Sequence, residues 1–282
     1  MAIKTVGVVG AGLMGAGIAE VAARAGCAVT LIDADAKALS KGMGRLQSSV
    51  NKAVEKGKMQ AAEAKEIVAR VRSGAAYEDL APADLVIEAV YENMAVKKET
   101  FKKLDPIVKA DSILASNTSA LSLTEIAAVT KRPDKVIGLH FFYPAPIMKL
   151  VEMVRGLATS DATYNQARSF VEQAGKTAVL AQDYPGFIVN RLLIPMINEA
   201  VFCVMEGAKP EDVDAAMKLG CGHPMGPLEL LDFVGLDVAL ATLNGIHQGL
   251  HDSKYRPCPL FDKMVEAGWL GRKSGRGFYK YQ

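Results

Sequence analysis

The sequence predicts a doubly wound α/β domain with a mainly parallel sheet, followed by a smaller all-helical domain. Three observations carry this. A glycine cluster lies between a β-branched run and an alanine-rich amphipathic stretch near the start of the chain. Strand and helix patterns then alternate as far as Asp183. From Phe187 onward the patterns are helical, with little strand.

The elements follow in order. Val6, Val8 and Val9 favour a strand, and a continuous apolar run suits one buried on both faces. Gly10, Gly12 and Gly15 then match G-x-G-x-x-G. The first glycine permits a tight turn, the second lets a pyrophosphate approach the backbone, and the third packs helix on strand. The helix that follows presents unpaired N–H groups and a positive dipole end to phosphate. Ile18, Val21 and Ala22 form its apolar face and Gly26 can end it. A second strand, residues 28–32, runs into Asp33, which lies 18 residues after Gly15. A carboxylate there accepts hydrogen bonds from the adenosine ribose and repels a 2′-phosphate, so NAD is expected over NADP. Strand, glycines, helix, strand and acid in this order make a Rossmann-type reading specific, where an isolated glycine pattern is not.

A lysine-, serine- and alanine-rich helix is expected over residues 37–58, and another over 60–72. "DLVIEAV" (84–90) reads as a buried strand, and "FKKLDPIV" falls on the next helix. "SILASNTS" (112–119) is a strand leading into a polar loop. Ser122 and Glu125 have capping-box spacing. "KVIGLHFF" (135–142), "KLVEMV" (149–154) and "AVLAQD" (178–183) complete the strands. The boundary is placed near Tyr184, giving an NAD-binding domain over 1–184 and a helical domain over 185–282. "GFIVNRLLIPMINEAVFCVMEG" reads as a long apolar helix kinked at Pro195. Pro210 and Pro227 suit first-turn positions of further helices, and the tail "GRKSGRGFYKY" is glycine-rich and basic. Helices this apolar on a short domain are expected to be covered by a second copy, a homodimer.

A chain of 282 residues with 50% hydrophobic and 23% charged content can form two domains with real cores. A net charge of +2 argues against a nucleic-acid-binding protein. The first strand pattern begins within a few residues of Met1, and no apolar run reaches membrane-spanning length. A cytoplasmic protein is the expectation. Cys27, Cys203, Cys221 and Cys258 are far apart and read as reduced thiols. His247 and His251 stand one helical turn apart, but Gln248 occupies the place of a metalloprotease glutamate, so no metal is expected.

A dinucleotide fold supplies a cofactor, and the reaction must come from polar residues near the carboxyl ends of the strands. His140 closes one strand, and histidine exchanges protons near neutral pH. Glu152 lies in the next strand pattern, and a carboxylate on one ring nitrogen fixes the tautomer and stabilises the imidazolium. Asn117 and Ser119 close the loop at another strand end, and Asn190 lies in the first turns of the long helix. Lys52 and Lys56 share one helix face, where a lysine pair suits phosphates.

These residues resemble the L-3-hydroxyacyl-CoA dehydrogenases, especially the short bacterial 3-hydroxybutyryl-CoA type. The motifs are "GAGLMGAGIA", "LVIEAVYENMAVK", "ILASNTSALS", "GLHFFYPAPIMKLVE", "PGFIVNRLL", "MKLGCGHPMGPLELLDFVGLD" and "GRKSGRGFY", and they span essentially the whole chain. The resemblance implies that His140 is the general base and Glu152 orients it, while Ser119 and Asn190 hold the reacting oxygen and the thioester. It implies a cofactor site of Gly10, Gly12, Leu13, Met14, Gly15, Asp33, Glu92, Lys97, Asn117, Ser119 and Tyr143, with Lys273 reaching toward it. It also implies CoA contacts from Ser49, Lys52, Lys56 and Ser119, and acetoacetyl-CoA or 3-hydroxybutyryl-CoA as substrate. The sequence departs from the family at Tyr143, where "HFFYP" replaces the usual HFFNP.

Two other readings stay open on the sequence alone. A dehydrogenase of small free hydroxy acids would share the glycine loop and the His–Glu pair but not the lysine face. A non-catalytic NAD-binding protein would need the fold without His140, Glu152, Ser119 and Asn190 together.

Overall fold

The computed structural model describes residues 2–281. The chain divides into two compact units, Met1–Asp183 and Tyr184–Gln282.

The first unit is built on an eight-stranded sheet. Strands β1 (Thr5–Val9), β2 (Ala28–Ile32), β3 (Val71–Ser73), β4 (Leu85–Glu88), β5 (Ile113–Ser116) and β6 (Val136–Phe141) all run parallel. Strands β7 (Leu150–Arg155) and β8 (Thr177–Gln182) pair parallel with each other, and β7 pairs antiparallel with β6. The spatial order is β3-β2-β1-β4-β5-β6-β7-β8, so the winding reverses between β1 and β4. That is the switch point of a doubly wound sheet, where ligands bind beyond the carboxyl ends of the strands.

Helices α1 (Leu13–Arg24), α2 (Ala36–Glu55), α3 (Ala61–Ala69), α4 (Met94–Leu104), α5 (Leu123–Ala127) and α6 (Asp161–Gln173) belong to this unit. Val8, Leu31, Leu85, Ile87 and Leu139 are fully buried, with Ile18, Ala22, Leu46 and Phe170 from α1, α2 and α6 in the same core. Burial on both faces explains why these strands read as unbroken apolar runs.

Several boundaries differ from the sequence reading. Helix α2 stops at Glu55, not at residue 58, because Gly57 turns left-handed at φ 65°. Residues 71 and 72 leave the expected helix and, with Ser73, form the edge strand β3, with Val29, Thr30 and Leu31 opposite them. Helix α4 begins at Met94, where Asn93 Oδ1 accepts the Val96 N–H, and ends before Pro106, which has no N–H to continue the ladder.

The second unit contains α7 (Val189–Met205), α8 (Pro210–Cys221), α9 (Pro227–Val234), α10 (Leu236–Leu250) and α11 (Pro259–Glu266). Three of these begin with proline, whose missing N–H is an orphan of the first turn anyway. Ile197, Val201, Leu231, Leu236, Leu243, Ile246 and Phe261 form its core. Asp232 ties down the tail by accepting from the Phe278 and Tyr279 N–H groups and the Tyr281 hydroxyl. Pro195 lies inside α7. His251 sits past α10 in a left-handed conformation (φ 54°), so it does not continue the helical face of His247. Among the described residues, no group of three or more His, Cys, Asp or Glu could hold a metal ion, and no single helix is long and apolar enough to cross a membrane.

Candidate active site

The glycine loop joins β1 to α1. Gly10 has φ +100°, and a Cβ there would lie 2.5 Å from the Ala89 carbonyl oxygen. A Cβ on Gly15 would lie 1.7 Å from the Gly10 carbonyl oxygen, so only glycine lets the first turn of α1 pack back on the loop. At Gly12 the space is open, and a Cβ there would meet no atom within 4 Å. Gly12 is the N-cap of α1 and offers no side-chain cap, which leaves the first N–H groups of α1 to an anion. Asp33, just past β2, turns its Oδ2 to the Ala11 N–H at 2.7 Å and its Oδ1 to the Asp35 N–H at 2.9 Å. A buried turn, an open cradle and an acid beside it fit the pyrophosphate and ribose of a dinucleotide. Leu13 and Met14 open the helix beside this cradle, and Leu13 is exposed.

The second group lies at the carboxyl ends of β4 and β5. Lys97 on α4 is only 1% exposed and pairs with Glu88 Oε1 at 2.7 Å and Glu92 Oε2 at 3.1 Å. Glu88 also accepts from the Ser116 hydroxyl at 2.6 Å and the Val90 N–H at 2.7 Å. Glu92 accepts from the Thr118 hydroxyl and from the Ser119 N–H at 2.8 Å. The network thus runs from a buried carboxylate to the loop that carries Ser119. Lys97, expected to line the cofactor site, has its ammonium enclosed by these two carboxylates. Asn117 Oδ1 accepts the Phe141 N–H at 2.8 Å and so ties this loop to the end of β6.

Burial opposes ionisation of Glu92, but the Lys97 ammonium, the Thr118 hydroxyl and the Ser119 N–H hold its carboxyl below the ordinary carboxylate range. A depressed folded pKa stabilises the fold above the unfolded value, and that contribution fades as pH falls through the folded one. The urea midpoint is therefore expected to fall with acid below about pH 4.5. Glu92→Gln should show a shallower acid slope than the wild type, and equal slopes would contradict this role.

The third group is the pair His140 and Glu152. They stand directly opposite each other in the antiparallel β6–β7 pairing, so both side chains leave the same face. His140 Nδ1 lies 2.8 Å from Glu152 Oε2; His140 is 6% exposed and Glu152 fully buried. An ionised carboxylate only accepts, so Nδ1 carries the proton, and in the neutral ring Nε2 is the basic nitrogen. The Phe142 ring packs on the imidazole at 4.4 Å between centroids. This geometry can take up a proton at Nε2 and stabilise the charge formed.

A cavity of about 560 Å³ is lined by α1, α2 and the loop after β6, without His140 or Glu152 on its lining. Ser49, Lys52 and Tyr143 are on its lining, and Lys56, the residue after α2, is not. Arg45, which the sequence reading passed over, also lines it and donates to the Ala11 carbonyl at 3.3 Å. The Tyr143–Pro144 peptide is cis. Lys176 holds this loop by donating to the Ala145 and Met148 carbonyls at 2.6 and 2.8 Å. Sequence reasoning also missed Glu88 and Lys176. A lone acid inside "LVIEAV" was a usable signal for Glu88, because a charge in a buried strand requires a partner. Asn190 is the second residue of α7, and Lys273 pairs with Asp237, both within the second unit.

Comparison with known proteins assigns the family. The family described as 3-hydroxyacyl-CoA dehydrogenase, NAD binding domain, matches residues 5–184, and the C-terminal domain of the same family matches residues 186–281. The chain is 55% identical to a probable 3-hydroxybutyryl-CoA dehydrogenase of Bacillus subtilis (strain 168), covering 100% of this chain and 99% of the relative. It is 50% identical to a 3-hydroxybutyryl-CoA dehydrogenase of Clostridioides difficile, covering 97% and 98%. The crystal structure of an (S)-3-hydroxybutyryl-CoA dehydrogenase from Ralstonia eutropha superposes with a TM-score of 0.97 at 47% identity, covering 100% of both chains. The chain belongs to the 3-hydroxyacyl-CoA dehydrogenase family of NAD-dependent oxidoreductases.

Proposed function

We propose that this enzyme interconverts (S)-3-hydroxybutyryl-CoA and acetoacetyl-CoA, with His140 as the general base and acid. The carrying observation is the buried His140–Glu152 pair, whose 2.8 Å bond engages Nδ1 and orients the imidazole. The names of relatives at 50–55% identity support the C4 substrate. NAD, when bound, supplies the hydride acceptor. His140 takes the 3-hydroxyl proton in oxidation and returns it in reduction, and Glu152 stabilises the charged ring. Ser119 and Asn190 hold the reacting oxygen and the thioester. Gly10, Gly12, Leu13, Met14, Gly15, Asp33, Glu92, Asn117 and Tyr143 form the cofactor site; Lys97 serves it by holding Glu92, and the family resemblance adds Lys273 as a further cofactor residue. Ser49, Lys52 and Lys56 take the phosphates of CoA, a role that suits lysines as point charges. The helical domain pairs with a second copy; the exposed Leu192, Leu219, Phe233 and Val238 support this.

The test is a chain-length series of 3-oxoacyl-CoA thioesters with NADH. Turnover is expected to be highest at C4 and to fall with length. Tyr143 is about half exposed on the cavity lining, so Tyr143→Asn, which shortens that side chain, is expected to change the ratio of C4 to longer-chain kcat/KM by about tenfold. A flat series in the wild type would overturn the C4 assignment, and an unchanged ratio in the variant would overturn the role of Tyr143.

A further inference from the structure

The end of α6 and the turn into β8 tie together two walls of the cavity without lining it. Gln173, the last residue of α6, donates from Nε2 to the carbonyl of Ala25, the C-cap of α1, at 2.8 Å. Lys176, the residue before β8, donates from Nζ to the Ala145 and Met148 carbonyls at 2.6 and 2.8 Å. The Thr177 N–H closes on the Lys149 carbonyl at 2.7 Å. Helix α1 and the loop of residues 143–146 both line the cavity, and Gln173, Lys176 and Thr177 do not.

The loop is a tight turn, because the Ile147 and Met148 N–H groups both fold back on the Pro144 carbonyl. Its Ala145 is buried, and Tyr143 beside it is exposed on the cavity lining. The turn rests directly on α1: a Cβ on Gly17 would lie 3.2 Å from Ala145 Cβ and 3.3 Å from Pro146 Cδ. Lys176 then fixes it with two bonds from a charged donor, which are stronger than neutral ones. The place does not favour a cation. Burial, then Arg24 and Lys149, push the Lys176 pKa below the ordinary lysine range, and only Glu20 acts the other way. What the ammonium adds over an aliphatic side chain is its hold on the loop.

We infer that Lys176 is a positioning residue that fixes the 143–146 wall of the cavity and so sets which acyl lengths the enzyme prefers. This rests on the acyl-CoA reading above. Lys176 touches neither substrate nor cofactor in this role and acts through the loop that carries Tyr143. A wall held in one place discriminates between chain lengths, whereas a wall free to shift yields to the longer chain.

The experiment measures kcat/KM for acetoacetyl-CoA and for 3-oxooctanoyl-CoA with NADH in wild type, Lys176→Met, Lys176→Arg and Gly17→Ala. The ratio of the two values does not depend on how much of the protein is folded, so a purely structural role would leave it unchanged. Lys176→Met keeps an aliphatic stem without donors and is expected to lower the C4-to-C8 ratio about fivefold. Lys176→Arg keeps donors for both carbonyls and should hold the ratio within about twofold of wild type. Gly17→Ala crowds the same wall from α1 and should also shift the ratio. If Lys176→Met does not fold, Lys176→Gln, which is too short to reach both carbonyls, is held to the same criterion. An unchanged ratio in Lys176→Met, a fall just as large in Lys176→Arg, or an unchanged ratio in Gly17→Ala would overturn the inference while leaving the acyl-CoA reading intact. A wild type that reduces neither thioester would overturn that reading, and the inference with it.

Discussion

His140→Ala is expected to lower kcat for thioester reduction by about 10²–10⁴-fold while NADH binding stays within about twofold of wild type. The side chain sits at the end of β6 with its Nδ1 held by Glu152, so alanine removes the proton acceptor without touching the glycine loop. Glu152→Gln should also be strongly impaired, because an amide in that place no longer enforces the Nδ1–H tautomer or balances the imidazolium. The two residues act as one unit. The double variant is therefore expected to be little worse than His140→Ala alone. Steady-state kinetics with NADH fluorescence titration checks both statements. Near-normal kcat in His140→Ala would rule out His140 as the general base, and loss of NADH binding would show that the variant damages the fold.

The largest effect on stability is expected from Lys97→Ala. Lys97 and Glu88 are both almost fully buried, and the alanine variant leaves the Glu88 carboxylate without its cation. Breaking a buried pair in this way costs about 3–5 kcal/mol, since one charge is stranded away from water. The same change frees Glu92 from its ammonium partner, so the KM of NADH should rise as well. Replacing both partners by apolar residues of similar size, Glu88→Leu with Lys97→Met, should recover much of the stability but not the cofactor affinity. Denaturant unfolding reads the first effect, and a loss below about 1 kcal/mol would mean that the pair contributes as a surface bridge does.

Much of this site was legible in the sequence because its parts are local. The turn at Gly10, the close approach at Gly15 and the acid after the second strand each follow from short-range steric rules. His140 and Glu152 were also visible as polar residues in apolar strands, but their contact depends on direction. Strand β7 runs antiparallel to β6, and the eight residues between Phe141 and Leu150 are too few for a parallel crossover. That short connection was the signal for the antiparallel pairing. Edge strand β3 was hidden because three residues give no periodicity, and tertiary pairing with β2 overrode the helical pattern before it. The Glu88–Lys97 pair joins positions nine residues apart on different elements, which no single helix or strand period connects.

The central claim is that this enzyme reduces a CoA thioester through the His140 site and does not act on the free acid. The most direct measurement is the loss of NADH absorbance with acetoacetyl-CoA, run beside free acetoacetate at equal concentration. Rapid loss with the thioester and none above background with the acid is the expected result. Equal rates, or activity on the acid alone, would contradict it and move the chain's substrate to a small free hydroxy acid.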